Sequence, residues 1–172
     1  PCVVMTCFML PHHMLIREHV GGKKFDDGYL YNFADLLIVD EAGQVLSEVA
    51  AASFALVKKA LVIGDTEQIA PIWNSLPGID IGNMVEENIL PGGTQEELTE
   101  AYALVCDSGK SAASGSVMKV AQFNSRYQYD QDLARGMYLY EHRRCFDNII
   151  GYCNHLCYHG KLQPKRGQEK ET

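Results

Sequence analysis

Apolar residues in this chain fall in short unbroken runs more than in alternating patterns. Leu36-Leu37-Ile38-Val39 and Ala60-Leu61-Val62-Ile63 are the clearest. Runs of that length without helical spacing predict strands buried on both faces of a parallel sheet. Cys2-Val3-Val4-Met5, ending at Thr6, and Met137-Tyr138-Leu139-Tyr140 predict two more. Between the first two strands, Ala42, Val45, Leu46, Val49 and Phe54 recur at near-helical spacing, which predicts an amphipathic helix over 42–57. Strand, helix and strand then form a right-handed βαβ unit. A second helix is predicted over Phe146 to Tyr158, with Ile149, Ile150, Cys153 and Leu156 as its apolar stripe. Thr94 and Glu97 have the spacing of a capping box, so a helix follows over about 95–105. Ser116 to Gln122 predicts a short one.

Punctuation separates these elements. Pro11-His12-His13 breaks the chain, and Gly21-Gly22, Asp26-Asp27-Gly28, Leu76-Pro77-Gly78 and Leu90-Pro91-Gly92-Gly93 are turn signals. Residues 74–115 read as a connecting elaboration, whose Gly/Ser/Ala-rich part, Asp107 to Gly115, is expected to be mobile. Residues 164–172 read as a frayed tail. The pattern predicts an α/β domain over 1–163 with a mostly parallel sheet flanked by helices.

The chemistry sits where the strands end. Asp40 and Glu41 follow the Leu36–Val39 run at once, and open α/β sheets bind ligands at that edge. There the first carboxylate suits Mg²⁺ held through water, and the second suits an attacking water. Taken alone, the pair reads first as a solvated strand end. The next strand runs into Gly64-Asp65-Thr66-Glu67-Gln68. If the two strands are neighbours, Asp65 and Gln68 fall beside Asp40 and Glu41. A glutamine there can bond both a terminal phosphate and a water; turn residues are the plainer reading. Glu141-His142-Arg143-Arg144 precedes a helix, where an arginine can reach a phosphate or merely a surface carboxylate. Trp73, the only tryptophan, is a core residue or a stacking platform. Gly109-Lys110-Ser111 is not a phosphate loop, because the glycine required five positions earlier is Leu104 and no strand precedes it.

Composition narrows the partners. A net charge of −7 does not favour nucleic acid as such, so any contact must come from a local patch. His12, His13, Arg17, His19, Lys23 and Lys24 form one locally basic segment, a phosphate-contacting face or a solvated loop. No apolar run approaches ~18 residues, and no secretory signal is visible. The expected location is therefore the cytoplasm, with the six cysteines reduced and mostly buried. Cys145, Cys153 and Cys157 with His142, His155 and His159 match no zinc spacing, although a zinc or iron–sulfur module is one reading of them. A start at Pro1, inside an apolar run, is expected of a piece of something longer.

In this order the motifs resemble those of superfamily 1 helicases, in the branch that includes RNA-surveillance and DNA-replication helicases. Asp40-Glu41-Ala42-Gly43-Gln44 resembles motif II, and Gly64-Asp65-Thr66-Glu67-Gln68 with Pro71 resembles motif III. Leu139 through Arg144, continuing as Ile149-Ile150, Asn154, Tyr158 and Gly160-Lys161-Leu162, resembles motif IV and its helix; Val3 to Thr6 resembles the strand before motif II. The resemblance implies a partial RecA-like domain of the phosphate-loop NTPase class, with ATP and Mg²⁺ as cofactors. It implies that Asp40 binds Mg²⁺ through water, that Glu41 is the catalytic base and that Gln68 senses the γ-phosphate. Asp65 would couple hydrolysis to movement, Gln44 would join the network between motifs, and Arg144 would act as an arginine finger. Thr6 and Trp73 would face nucleic acid. The family's phosphate loop and second RecA-like domain are not in these residues. The expectation is thus part of an ATP-driven translocase on single-stranded nucleic acid that is inactive without the rest of the helicase chain; no membrane partner is expected. The alternative is a non-catalytic nucleic-acid-binding or scaffold module with a helicase-like fold.

Overall fold

The computed structural model describes residues 2–168, and the chain divides into two units, Pro1–Asn124 and Ser125–Thr172. The first unit opens on a single helical turn, α1 (Leu10–His13). Pro11 lies within the first turn instead of breaking the chain, because its fixed φ suits helix and its missing N–H is one that the first turn leaves unpaired anyway. The strand expected over Val3 to Thr6 does not form; Val3 and Val4 are exposed, and the Thr6 carbonyl accepts from Met9 and Leu10 N–H groups at 3.0 and 3.2 Å. A strand needs a neighbour for its N–H and C=O groups, and none pairs with this run among the described residues.

An antiparallel hairpin follows, β1 (Leu15–Gly21) with β2 (Lys24–Tyr29), turning at Gly21-Gly22 as expected. Asp26-Asp27-Gly28, read as a turn, lies inside β2 instead. Cross-strand partners account for this: Arg17 pairs with Asp27 at 2.7 Å, and His19 meets the Phe25 ring edge-on at 5.2 Å.

The next strands, β3 (Leu37–Val39) and β4 (Ala60–Val62), are parallel neighbours, with Leu37 opposite Ala60 and Val39 opposite Val62. The connecting helix starts later than its periodicity predicts. Ala42–Gln44 is a short 3₁₀ turn, Val45 and Leu46 are extended, and α2 runs over Ser47–Ala55. Tertiary bonding interrupts the helix here, since the Val45 carbonyl accepts from Val117 N–H at 2.9 Å. Val39, Ala42, Ala50 and Val117 form the core, and Leu37, Phe54 and Val62 pack on it. The strands are not covered on both faces, as their apolar runs predict. Leu36, Ile38, Leu61 and Ile63 are 53, 57, 49 and 42% exposed, and the cross-strand pair Ile38 and Leu61 marks the open side.

Three helices complete the first unit: α3 (Pro77–Glu86), α4 (Gln95–Asp107) and α5 (Val117–Asn124). The capping box of α4 is present, Thr94 and Glu97 bonding each other's backbone. α3 is a helix that the sequence reading takes for punctuation; Pro77 begins it, and Asp80 lies in its first turn. Asp80, 4% exposed, accepts from Tyr102 Oη at 2.8 Å and Ser111 Oγ at 2.9 Å. Burial, with the Asp80 carboxylate adding to it, pushes the Tyr102 phenol up to about 12. The Asp107–Gly115 stretch, expected to be mobile, is tied at several points. Besides Ser111, the Gly109 carbonyl accepts from Ser47 Oγ at 2.8 Å and the Gly115 carbonyl from Trp73 Nε1 at 2.9 Å. Its small residues permit close packing, which composition alone does not distinguish from flexibility.

In the second unit β5 (Glu141–His142) pairs in parallel with β6 (Gln163–Pro164). The strand expected over Met137–Tyr140 is thus displaced and shortened: the Tyr140 and His142 carbonyls accept from Gln163 and Lys165 N–H at 2.7 and 2.9 Å, and the ladder goes no further. α6 (Asp147–Cys153) continues as a π turn over Asn154–Tyr158 and buries Ile150. No sheet among the described residues has more than two strands, so the expected set of parallel strands sharing one sheet is not formed. Part of the stretch read as a tail is folded: Gly167 exchanges hydrogen bonds with Asp147 at 2.9 and 3.1 Å, and the Arg166 guanidinium lies over the Phe146 ring. Residues 169–172 lie outside the described residues.

Candidate active site at two strand ends

β3 and β4 deliver their carboxyl ends side by side, and three contacts lock the following loops together. Ala42 N–H donates to the Ile63 carbonyl at 2.9 Å. A Cβ added to Gly43 would lie 2.3 Å from the Asp65 carbonyl oxygen, and one added to Gly64 would lie 2.8 Å from the Gly43 nitrogen. Real Cβ atoms do not approach backbone so closely, so these glycines allow the two loops to touch. The Asp40–Gln44 and Gly64–Gln68 segments therefore form one surface.

Within it the polar groups are already oriented. Asp40 Oδ1 accepts from Glu41 N–H at 3.0 Å. Glu41 has left-handed backbone, φ +53°, uncommon for a residue with a Cβ; such strain, about 1–3 kcal/mol, is kept where surrounding structure imposes it. Gln44 Nε2 donates to Glu41 Oε2 at 3.4 Å, a long bond. Asp65 Oδ2 accepts from Gln68 Nε2 at 2.8 Å, and Asp65 Oδ1 from Glu67 N–H at 2.9 Å. Asp40, Glu41, Gln44 and Gln68 are exposed, so the acceptors are open to solvent. Asp40 is a hard oxygen donor held in one orientation, which fits a cation bound through its water shell. No group of three or more His, Cys, Asp or Glu among the described residues is arranged to hold a metal directly.

The other residues singled out from the sequence have surroundings of their own. Arg144 is an exposed residue of the second unit, and its carbonyl accepts from the Arg166 guanidinium. Trp73 is half-buried; its indole N–H is spent on Gly115, and Lys119 Nζ lies 5.9 Å from its ring centroid. Thr6 is exposed, and its hydroxyl accepts from Met9 N–H at 3.4 Å in the turn that leads into α1. None of the six cysteines is in a disulfide; Cys2 is exposed and the other five are half-buried, not mostly buried as expected, and partial burial pushes the Cys7 thiol up from its ordinary value. In the basic early segment Arg17 is paired with Asp27, and His19 faces the Gly22 carbonyl at 2.8 Å.

What holds the loops leaves almost no mark in the sequence. Val45 and Ser47, just past Gln44, are tied to Val117 and Gly109, so the 109–117 strap lies against the turn that carries Glu41. The one available signal is the glycine that follows Asp40-Glu41-Ala42. No helix of the described residues is long and apolar enough to cross a membrane. Comparison with known proteins finds no match: no family model, curated protein or solved structure is similar to the chain.

Proposed function

We propose that the chain is part of an ATP-dependent nucleic-acid motor of the superfamily 1 helicase kind, in which Asp40 holds Mg²⁺ through water and Glu41 activates the attacking water. The observation that carries this reading is the fusion of the two acidic strand ends: Gly43 and Gly64 let the loops bearing Asp40-Glu41 and Asp65-Gln68 touch. A phosphoryl-transfer site needs this combination, one carboxylate for the metal and a second group to place water, on a fixed frame at a strand edge. Gln68, anchored by Asp65, is the residue that would report the terminal phosphate to the rest of the domain. Arg144 would supply charge stabilisation as the arginine finger. Mg²⁺ held there by Asp40 would supply charge neutralisation to a bound triphosphate.

The open apolar side of β3 and β4 agrees with a larger partial RecA-like domain, since parallel strands ordinarily have both faces covered. The 172 residues contain no phosphate loop, so the chain by itself is expected to turn over little ATP. The test is steady-state ATP hydrolysis by the complete reading frame, with and without a single-stranded oligonucleotide. Stimulated hydrolysis that falls at least a hundred-fold in Glu41→Gln, with Mg²⁺-ATP binding retained, supports the proposal. Hydrolysis unchanged in that variant overturns it. Robust turnover by the 172 residues alone, lost in Glu41→Gln, would overturn only the requirement for a phosphate loop.

A further inference from the structure

The second unit carries a feature that the strand-end site does not use. Tyr129, Tyr138 and Tyr140 form a ring cluster. Tyr138 and Tyr140 are stacked at 6.0 Å with 20° between their planes, and Tyr129 is tilted against Tyr140 at 5.3 Å. The cluster is open to solvent on its outer side, where Tyr129 is 61% exposed. A recess of about 460 Å³ adjoins it, bounded by Tyr138, Tyr140, Glu141, Arg143 and Gln163.

We propose that this tyrosine cluster and its recess form a stacking site for unpaired bases of single-stranded nucleic acid. Three properties point to that ligand. Tyr138 is anchored by its hydroxyl, Oη donating to the Ala134 carbonyl at 3.0 Å, and Tyr140 and Tyr129 lean on it in turn, so a planar group meets rings already in contact. The recess presents a guanidinium, a carboxylate and an amide at its polar end, with Arg143 on Glu141 at 2.7 Å; base edges, which mix donors and acceptors, match such a set. Charge is also distributed unevenly. The unit Ser125–Thr172 has eight Lys/Arg against six Asp/Glu, net +2, whereas Pro1–Asn124 has seven against sixteen, net −9. Asp130, close to the rings in the chain, is neutralised by Lys161 at 2.6 Å. A proline-rich peptide would also stack on tyrosines, but it has no use for the basic surplus; the preference for nucleic acid rests on that surplus and on the motor reading above.

The experiment is binding of fluorescein-labelled dT₁₂ and rU₁₂ to the full chain by anisotropy, with a 2-aminopurine strand to report stacking. The expected result is binding of single strands over the matching duplex, a change in 2-aminopurine emission, and Tyr129→Ala weakening binding about five- to a hundred-fold, the range that one lost base stack gives. Tyr129→Phe keeps the ring and should stay within about three-fold. Tyr129 is exposed, so its variants should fold, and circular dichroism checks this. Tyr129→Ala and Tyr140→Ala binding as tightly as the wild type would overturn the proposal, as would equal affinity for duplex, absence of oligonucleotide binding, or a proline-rich decapeptide taking the site instead. Hydrolysis of ATP is read separately, so failure of the motor reading does not imitate failure of this one.

Discussion

Two glycines with the same side chain have opposite roles. Gly43 faces the Asp65 carbonyl so closely that an added Cβ would stand 2.3 Å from it, and the obstacle is backbone, which cannot rotate away. Gly43→Ala is expected to force the loops apart and to cost about 1–3 kcal/mol, as overpacking does. Gly78, in the first turn of α3, meets nothing within 4 Å, so Gly78→Ala should instead add about 0.5–1 kcal/mol through helix propensity. Urea unfolding of the two variants checks the sign of each; two changes of the same sign would contradict the packing described for the strand ends.

At the scale of the element, the helices around Asp80 show how buried polar groups organise an insertion. Asp80 of α3, Tyr102 of α4 and Ser111 of the strap share three contacts of 2.8–2.9 Å, which ties together segments that the sequence separates. The Tyr102 phenol is raised from 10.0 to about 12, first by burial and then by Asp80. The neutral phenol is thus the folded form. The stability it contributes is complete below pH 10, its ordinary value, and is lost as pH rises through about 12. Alkaline unfolding followed by circular dichroism is expected to begin above pH 10, and Tyr102→Phe should flatten that limb. The same variant leaves Asp80 short of a donor, so it should cost about 1–3 kcal/mol at pH 7. The α4 cap is a local device by comparison: Thr94→Ala removes the capping box and should cost about 0.5–2 kcal/mol, measured by thermal melting.

Across the whole molecule the notable surface is the uncovered side of β3 and β4. Ile38 and Leu61 face each other there, 57 and 49% exposed, within an apolar patch of the kind that marks an interface. Ile38→Thr with Leu61→Thr is expected to change stability by no more than about 0.5 kcal/mol each, because neither side chain is buried. A loss of several kcal/mol would mean that the face is packed after all.

Much of this was legible in the chain, and the physical reason is locality. Apolar runs located β3 and β4, the Thr94 and Glu97 spacing located α4, and Ile150 was placed on a buried stripe; each depends on residues close in sequence. Asp40, Glu41, Asp65 and Gln68 could be singled out because strand ends are defined by where such runs stop. What tertiary structure alone decided were the contacts between distant segments. Val3 to Thr6 has the composition of a strand but no pairing neighbour among the described residues, and Asp26-Asp27-Gly28 has that of a turn but gains Arg17 across the hairpin. Asp107 to Gly115 reads as mobile, yet Ser47, Trp73 and Asp80 hold it. Hydrogen-bond partners far apart along the chain leave no period or spacing in it, so the closeness of Gly43 to Asp65 and the meeting of Tyr129 with Tyr140 became visible only once the backbone was folded.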